Sequence, residues 1–207
     1  MKIGIAGGIG SGKSYVCQRL QARGMEVYDC DTAAKRLMRT SEQLRQRLTD
    51  LIGPDAYLGD AATPPFQLNK AAVAKFLLSS PNNAQAIDEI VHPAVFDDFV
   101  RSGRRWMESA IMYESGIYRL VDRVVVVTAP EELRIERVMR RDGISRDKAL
   151  EWIHRQWPQE RVRSLADFEI VNDGEADIDR QLDELIERLG EEEEYGIAKS
   201  DITTIIT

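Results

Sequence analysis

Five short apolar or β-branched runs punctuate the chain: KIGIA (2–6), MEVYD (25–29), WMESAIM (106–112), RVVVVTA (123–129) and FEIVN (168–172). Such runs read as strands, and several lack the apolar–polar alternation of a half-exposed sheet. That is the pattern of parallel strands covered on both faces. Stretches of helical periodicity separate them, so the class expected is α/β. The first helix should run from about Lys13 to Arg23 and stop at Gly24.

The interval 32–104 is too long for a simple crossover between the second and third strands. Its pattern is helical over TAAKRLMRTSEQLRQRLTDLIG, loop over PDAYLGDAATPPF, and helical again over KAAVAKFLLSS and NAQAIDEIV. A helical insertion is expected there, able to wall a substrate site. A second insertion, 131–165, precedes the last strand. The expected organisation is a core of 1–31, 105–130 and 166–190, an insertion of 32–104, a segment of 131–165 and a tail of 191–207. The EEEE run in that tail reads as a solvated helix end.

Composition narrows the class. The 207 residues are 43% hydrophobic and 30% charged, as in an ordinary globular protein, with a formal net charge of −7. Non-specific nucleic-acid binding is therefore not expected. No apolar run reaches the roughly 20 residues that span a bilayer. A strand beginning at Lys2 leaves no room for a signal peptide, and Cys17 and Cys30 lack metal-site or framework spacing. A reduced, cytoplasmic setting is expected; oligomeric state is not legible.

Chemistry enters at GGIGSGKS, residues 7–14, where Gly7 and Gly12-Lys13-Ser14 fit G-x-x-x-x-G-K-[ST]. The motif follows a strand and opens a helix. Glycines let backbone N–H groups converge on an anion, and the helix N-terminus adds partial positive charge. Lys13 can reach the β- and γ-phosphates of ATP, and the Ser14 hydroxyl can ligate Mg²⁺. Guanine recognition is not supported: NKAA at 69–72 lacks the aspartate, and DLIG at 50–53 ends a helix.

Two further features surround the loop. YDCD ends the second strand, and alternation would put Asp29 and Asp31 on one face with Cys30 on the other. A carboxylate there could take a proton from an attacking hydroxyl or hold water on Mg²⁺; Asp31 could equally be a helix N-cap. Residues 134–163 carry nine Lys or Arg against five Asp or Glu, with Arg134, Arg137 and Arg141 spaced to share a helix face. A closing lid that follows phosphoryl charge fits this, as would a solvated basic helix. His92 precedes Pro93, a first-turn residue, and so reads as a helix cap.

Taken in order, GIAGGIGSGKS, GMEVYDCD, AIDEIVHPAV, ESAIMYESG, RVVVVTAPEEL, RVMRRDGIS and QWPQERVRSLADFEIVNDG resemble the dephospho-coenzyme A kinase family from residue 3 to about 189. The resemblance implies a three-layer P-loop kinase fold with a five-stranded parallel sheet. It implies phosphorylation of the ribose 3′-hydroxyl of dephospho-coenzyme A by ATP with Mg²⁺. Gly10, Ser11, Gly12, Lys13, Ser14 and Tyr15 would bind ATP phosphates and Asn172 would lie near its adenine. Asp31 would be the base, and Arg137 and Arg141 the lid arginines. Asp29, Asp31, His92 and Gln156 would serve the acceptor. The sequence departs at Ala6, Cys30, Val162 and SAIMYE, none of which removes a catalytic group. A kinase for another small acceptor and a non-catalytic nucleotide switch remain alternatives.

Overall fold

The chain runs β1 (Ile3–Ala6), α1 (Lys13–Ala22), β2 (Val27–Asp29), α2 (Cys30–Thr40), α3 (Glu42–Ile52), β3 (Tyr57–Leu58), β4 (Gln67–Leu68), α4 (Lys70–Ser79), α5 (Asn83–Ser102), β5 (Trp106–Glu108), β6 (Arg123–Thr128), α6 (Glu131–Asp142), α7 (Arg146–His154), α8 (Gln159–Leu165), β7 (Phe168–Val171) and α9 (Ile178–Tyr195). The computed structural model describes residues 1–59 and 63–195. Two compact units divide the chain, one of Met1–Val27 with the residues from Arg104 onward, the other Tyr28–Gly103.

The sheet has the order β2-β5-β1-β6-β7, with β1 parallel to both β5 and β6, and β7 parallel to β6. All six residues of β6 are buried, as its unbroken apolar run requires of a strand covered on both faces. On one face Ile3, Ile5, Val125, Val127 and Ile170 meet Val16 and Leu20 of α1 and Leu182, Leu185 and Leu189 of α9. Removing Leu182, which is fully buried, would leave a cavity worth about 2–5 kcal/mol.

The third strand is shorter than its apolar run suggests, ending at Glu108. Ser109 then accepts a hydrogen bond on Oγ from the Ile111 N–H and turns the chain. The acidic run is not merely a solvated helix end. Glu192 pairs with Arg123 at 2.8 Å, and Glu193 takes Arg105 at 2.6 Å and the Met1 amine at 3.0 Å. The tail beyond residue 195 lies outside the described residues.

In the second unit, α5 packs against α2 and α3. Its stripe of Val91, Val95 and Phe99 is buried, and so are Ala33 and Leu37 on α2 and Leu44 and Leu48 on α3. Among its described residues, the stretch read as loop holds the 3₁₀ turn Pro54–Ala56 and β3, which pairs antiparallel with β4 just beyond it. The structure departs from the expected arrangement at YDCD and at His92-Pro93. The second strand stops at Asp29, so Asp29 and Asp31 do not alternate along a strand. Asp29 is itself the N-cap of α2, accepting from the Thr32 N–H at 3.0 Å and its hydroxyl at 2.7 Å. Asp31 lies in the first turn, not at the cap. His92-Pro93 opens no helix either; it falls inside α5, which tolerates the proline with the ring on the exposed face.

Candidate active site

The loop after β1 curls over the start of α1. Lys13 is buried, Ser14 and Tyr15 are exposed, and Ser11 is fully buried. The Ser11 hydroxyl has no hydrogen-bond partner among the described residues. The Lys13 ammonium lies 3.7 Å from Glu108 at the end of β5 and 3.5 Å from the Gly8 carbonyl. Burial pushes its pKa below the ordinary 10.5, with Glu108 the largest opposing influence. A desolvated cation facing one carboxylate gains from a polyanion more than an exposed lysine would.

Three neighbours hold the outer side of the loop. Arg134 Nε donates to the Ile9 carbonyl at 3.0 Å. Arg137 donates to the Gly10 and Ser11 carbonyls, each at 3.4 Å, and to the Asn172 carbonyl at 3.1 Å. Asn172 Nδ2 donates to the Ser11 carbonyl at 2.9 Å. Three successive carbonyls, of residues 9, 10 and 11, are thus held by side chains. That fixes the planes of the peptides that carry the N–H groups of residues 10, 11 and 12. Burial lowers the pKa of both Arg134 and Arg137; Glu131 opposes this at Arg134 and Asp173 at Arg137.

The expected arginine face divides. Arg134 and Arg137 reach the loop, whereas Arg141 is exposed and bonds Asp142 next to it, holding that carboxyl below its usual range. Gly143 ends α6 and Ser145 caps α7. Gln156 accepts from the Ile9 N–H at 2.7 Å and donates to the Ala110 carbonyl at 3.1 Å. In the second unit, the exposed Asp31 pairs with Lys35 one turn on. His92 stacks on Phe96 and lies 3.6 Å from Asp88.

Sequence reasoning passed over Glu108 and assigned no individual role to Arg134. The available signal for Glu108 was an acidic residue inside the apolar run WMESAIM. Its significance depends on β5 adjoining β1, which the linear pattern does not state. For Mg²⁺, the donor set fits: Ser14 and Glu108 offer hard oxygens. Among the described residues no cluster of three His, Cys, Asp or Glu could hold an ion by itself. Mg²⁺ suits such a site because it keeps water and substrate phosphate as most of its ligands.

A loop of this curvature between the central strand of a five-stranded parallel sheet and a helix, with arginines across it, defines a P-loop kinase fold. TT1252 from Thermus thermophilus shares it at a TM-score of 0.72 and 30% identity, over 92% of this chain and 97% of that one. A shikimate kinase from Acinetobacter baumannii, in complex with shikimate, shares the fold at a TM-score of 0.53 and 15% identity, over 91% of each chain. The family model for dephospho-CoA kinase matches residues 1–177. A dephospho-CoA kinase from Bacteroides fragilis is 39% identical over 197 residues, 90% of this chain and 91% of the relative. The chain belongs to the dephospho-CoA kinase family.

Proposed function

We propose that the protein transfers the γ-phosphoryl group of ATP to the ribose 3′-hydroxyl of dephospho-coenzyme A, giving coenzyme A. The observation that carries this reading is the phosphate loop itself, with buried Lys13 inside it and its outer carbonyls held by Arg134, Arg137 and Asn172. Family membership supplies the acceptor. In this reading the N–H groups of residues 10–15 and Lys13 hold the phosphates, and Asn172 borders the adenine. Ser14 and Glu108 would hold Mg²⁺, which supplies charge neutralisation on the phosphates when bound.

Asp31 is the proposed base. A ribose hydroxyl is a weak nucleophile, and a carboxylate that orients it and takes its proton contributes roughly 10²–10⁴-fold. Asp31 pairs with Lys35 in the structure, an exposed pair of small strength. Residues 32–104, with Asp29, His92 and the helices around them, form the acceptor side, and residues 131–165 form the lid. A cytoplasmic setting is part of the same proposal, supported by the spacing of Cys17 and Cys30, which is not that of a disulfide framework. No described helix is long and apolar enough to cross a membrane.

The test is incubation with Mg-ATP and dephospho-coenzyme A, followed by phosphorus NMR. A new 3′-phosphomonoester signal is expected. Absence of turnover here, with brisk turnover of shikimate, gluconate or a nucleoside monophosphate, would overturn the assignment.

A further inference from the structure

Ile9 occupies one of the positions that the phosphate-loop pattern leaves unspecified, yet residues 131–165 hold every part of it. Its side chain packs against the buried cluster Ile135, Val138, Ala149 and Ile153 between α6 and α7. Its carbonyl accepts from Arg134 Nε at 3.0 Å, and its N–H donates to Gln156 Oε1 at 2.7 Å. That N–H is therefore committed to the lid and not to phosphate. The residues on either side explain how α6 comes so close. A Cβ at position 8 would lie 2.4 Å from the Arg134 guanidinium, and one at position 10 would lie 2.6 Å from the Arg134 carbonyl. Gly10 also has φ +79°, open to glycine at little cost. Gly8 and Gly10 thus make a dock for α6, with Ile9 inserted between them.

We propose that Ile9 is a positioning residue, a peg through which the packing of α6 on α7 sets the curl of the phosphate loop and so the affinity for ATP. A glycine-rich loop left to itself loses much conformational freedom when it closes on an anion. With residue 9 fixed at its side chain, N–H and carbonyl, that ordering is completed during folding instead of during binding. The lid's interior, and not only its charged surface, then governs nucleotide binding. This rests on the kinase reading above, but its deciding measurement, ATP affinity, needs no acceptor.

The experiment measures ATP affinity by calorimetry, with KM for each substrate, kcat and a melting curve. It uses Ile9→Ala, Ile9→Val, Arg134→Met and the Ile9→Ala/Arg134→Met double variant. Ile9→Ala should weaken ATP binding about tenfold, a larger effect than on kcat, and leave the acceptor KM within about twofold. Ile9→Val, which keeps most of the peg, should recover most of that loss. The double variant should lose less than the product of the two single effects, because both act on one residue of the loop. Wild-type ATP affinity in folded Ile9→Ala, whatever its melting temperature, would overturn the proposal, as would strictly multiplicative losses. Should Ile9→Ala fail to fold, Ile9→Val and Arg134→Met decide: unchanged ATP affinity in both overturns it. Failure of the acceptor assignment looks different, since ATP would still bind while dephospho-coenzyme A went unphosphorylated.

Discussion

Two aspartates two residues apart have separable jobs. Asp29 satisfies the first N–H groups of α2, accepting from Thr32 by backbone and hydroxyl, and should matter for stability. Asp29→Ala should lower unfolding free energy by about 1 kcal/mol, the usual effect of a lost cap. Asp31 contributes an exposed pair with Lys35, so Asp31→Asn should melt with the wild type while kcat falls by roughly 10²–10⁴-fold. Parallel melting curves and single-turnover rates check both, and near-native turnover by Asp31→Asn would move the base elsewhere. The phosphate loop was legible at this scale because its chemistry is local: spacing along the chain is spacing in the site. Glu108, Arg134 and Ile9 were not, because their roles arise from neighbours about 100 residues or more away in sequence. Lys13 meets Glu108, and Ile9 meets Arg134 and Gln156, only once β1, β5 and α6 are assembled.

Among the elements, α6 carries four arginines, and the surroundings of Arg137 and Arg141 differ. Arg137 bonds the carbonyls of Gly10, Ser11 and Asn172, so Arg137→Ala should raise KM for ATP more than it lowers kcat. Arg141, one turn on, bonds only its neighbour Asp142 among the described residues, and its proposed role is to meet the phosphoryl group being transferred. Arg141→Ala should lower kcat by on the order of 10²-fold with ATP affinity retained, and Arg141→Lys should rescue it poorly for lack of the planar fork. Steady-state kinetics with each substrate varied would separate these; a normal kcat in Arg141→Ala would leave that arginine a surface residue. Most elements could be read from periodicity, and Gly24 marked the end of α1 correctly. The misplaced boundaries share a cause. Three residues of alternation at YDCD cannot tell a strand from a strand followed by a capped helix. Pro93 looked like a helix start because a proline facing solvent in the middle of α5 leaves no trace in the apolar stripe.

At the scale of the whole molecule, the end of α9 ties down the starts of strands. Arg123 opens β6, is buried, and pairs with Glu192, which is only 14% exposed. Glu192→Ala would leave the guanidinium without that carboxylate, costing on the order of 3 kcal/mol. For a chain of this length that is a fall in Tm of roughly 6–12 °C. Glu193→Ala, at an exposed pair, should barely move the melting curve, so equal shifts for the two variants would refute the distinction. The strand order has a further consequence, one of timing during synthesis. Ile3 of β1 pairs with Trp106 and Arg123, so the central strand leaves the ribosome long before either partner exists. At roughly 5–20 residues per second, the first hundred residues alone take about 5–20 s. For that interval an apolar strand with two unpaired edges is held by a nascent chain that cannot yet cover it. A newborn copy of this protein is therefore most prone to aggregate while its future phosphate loop has already been made.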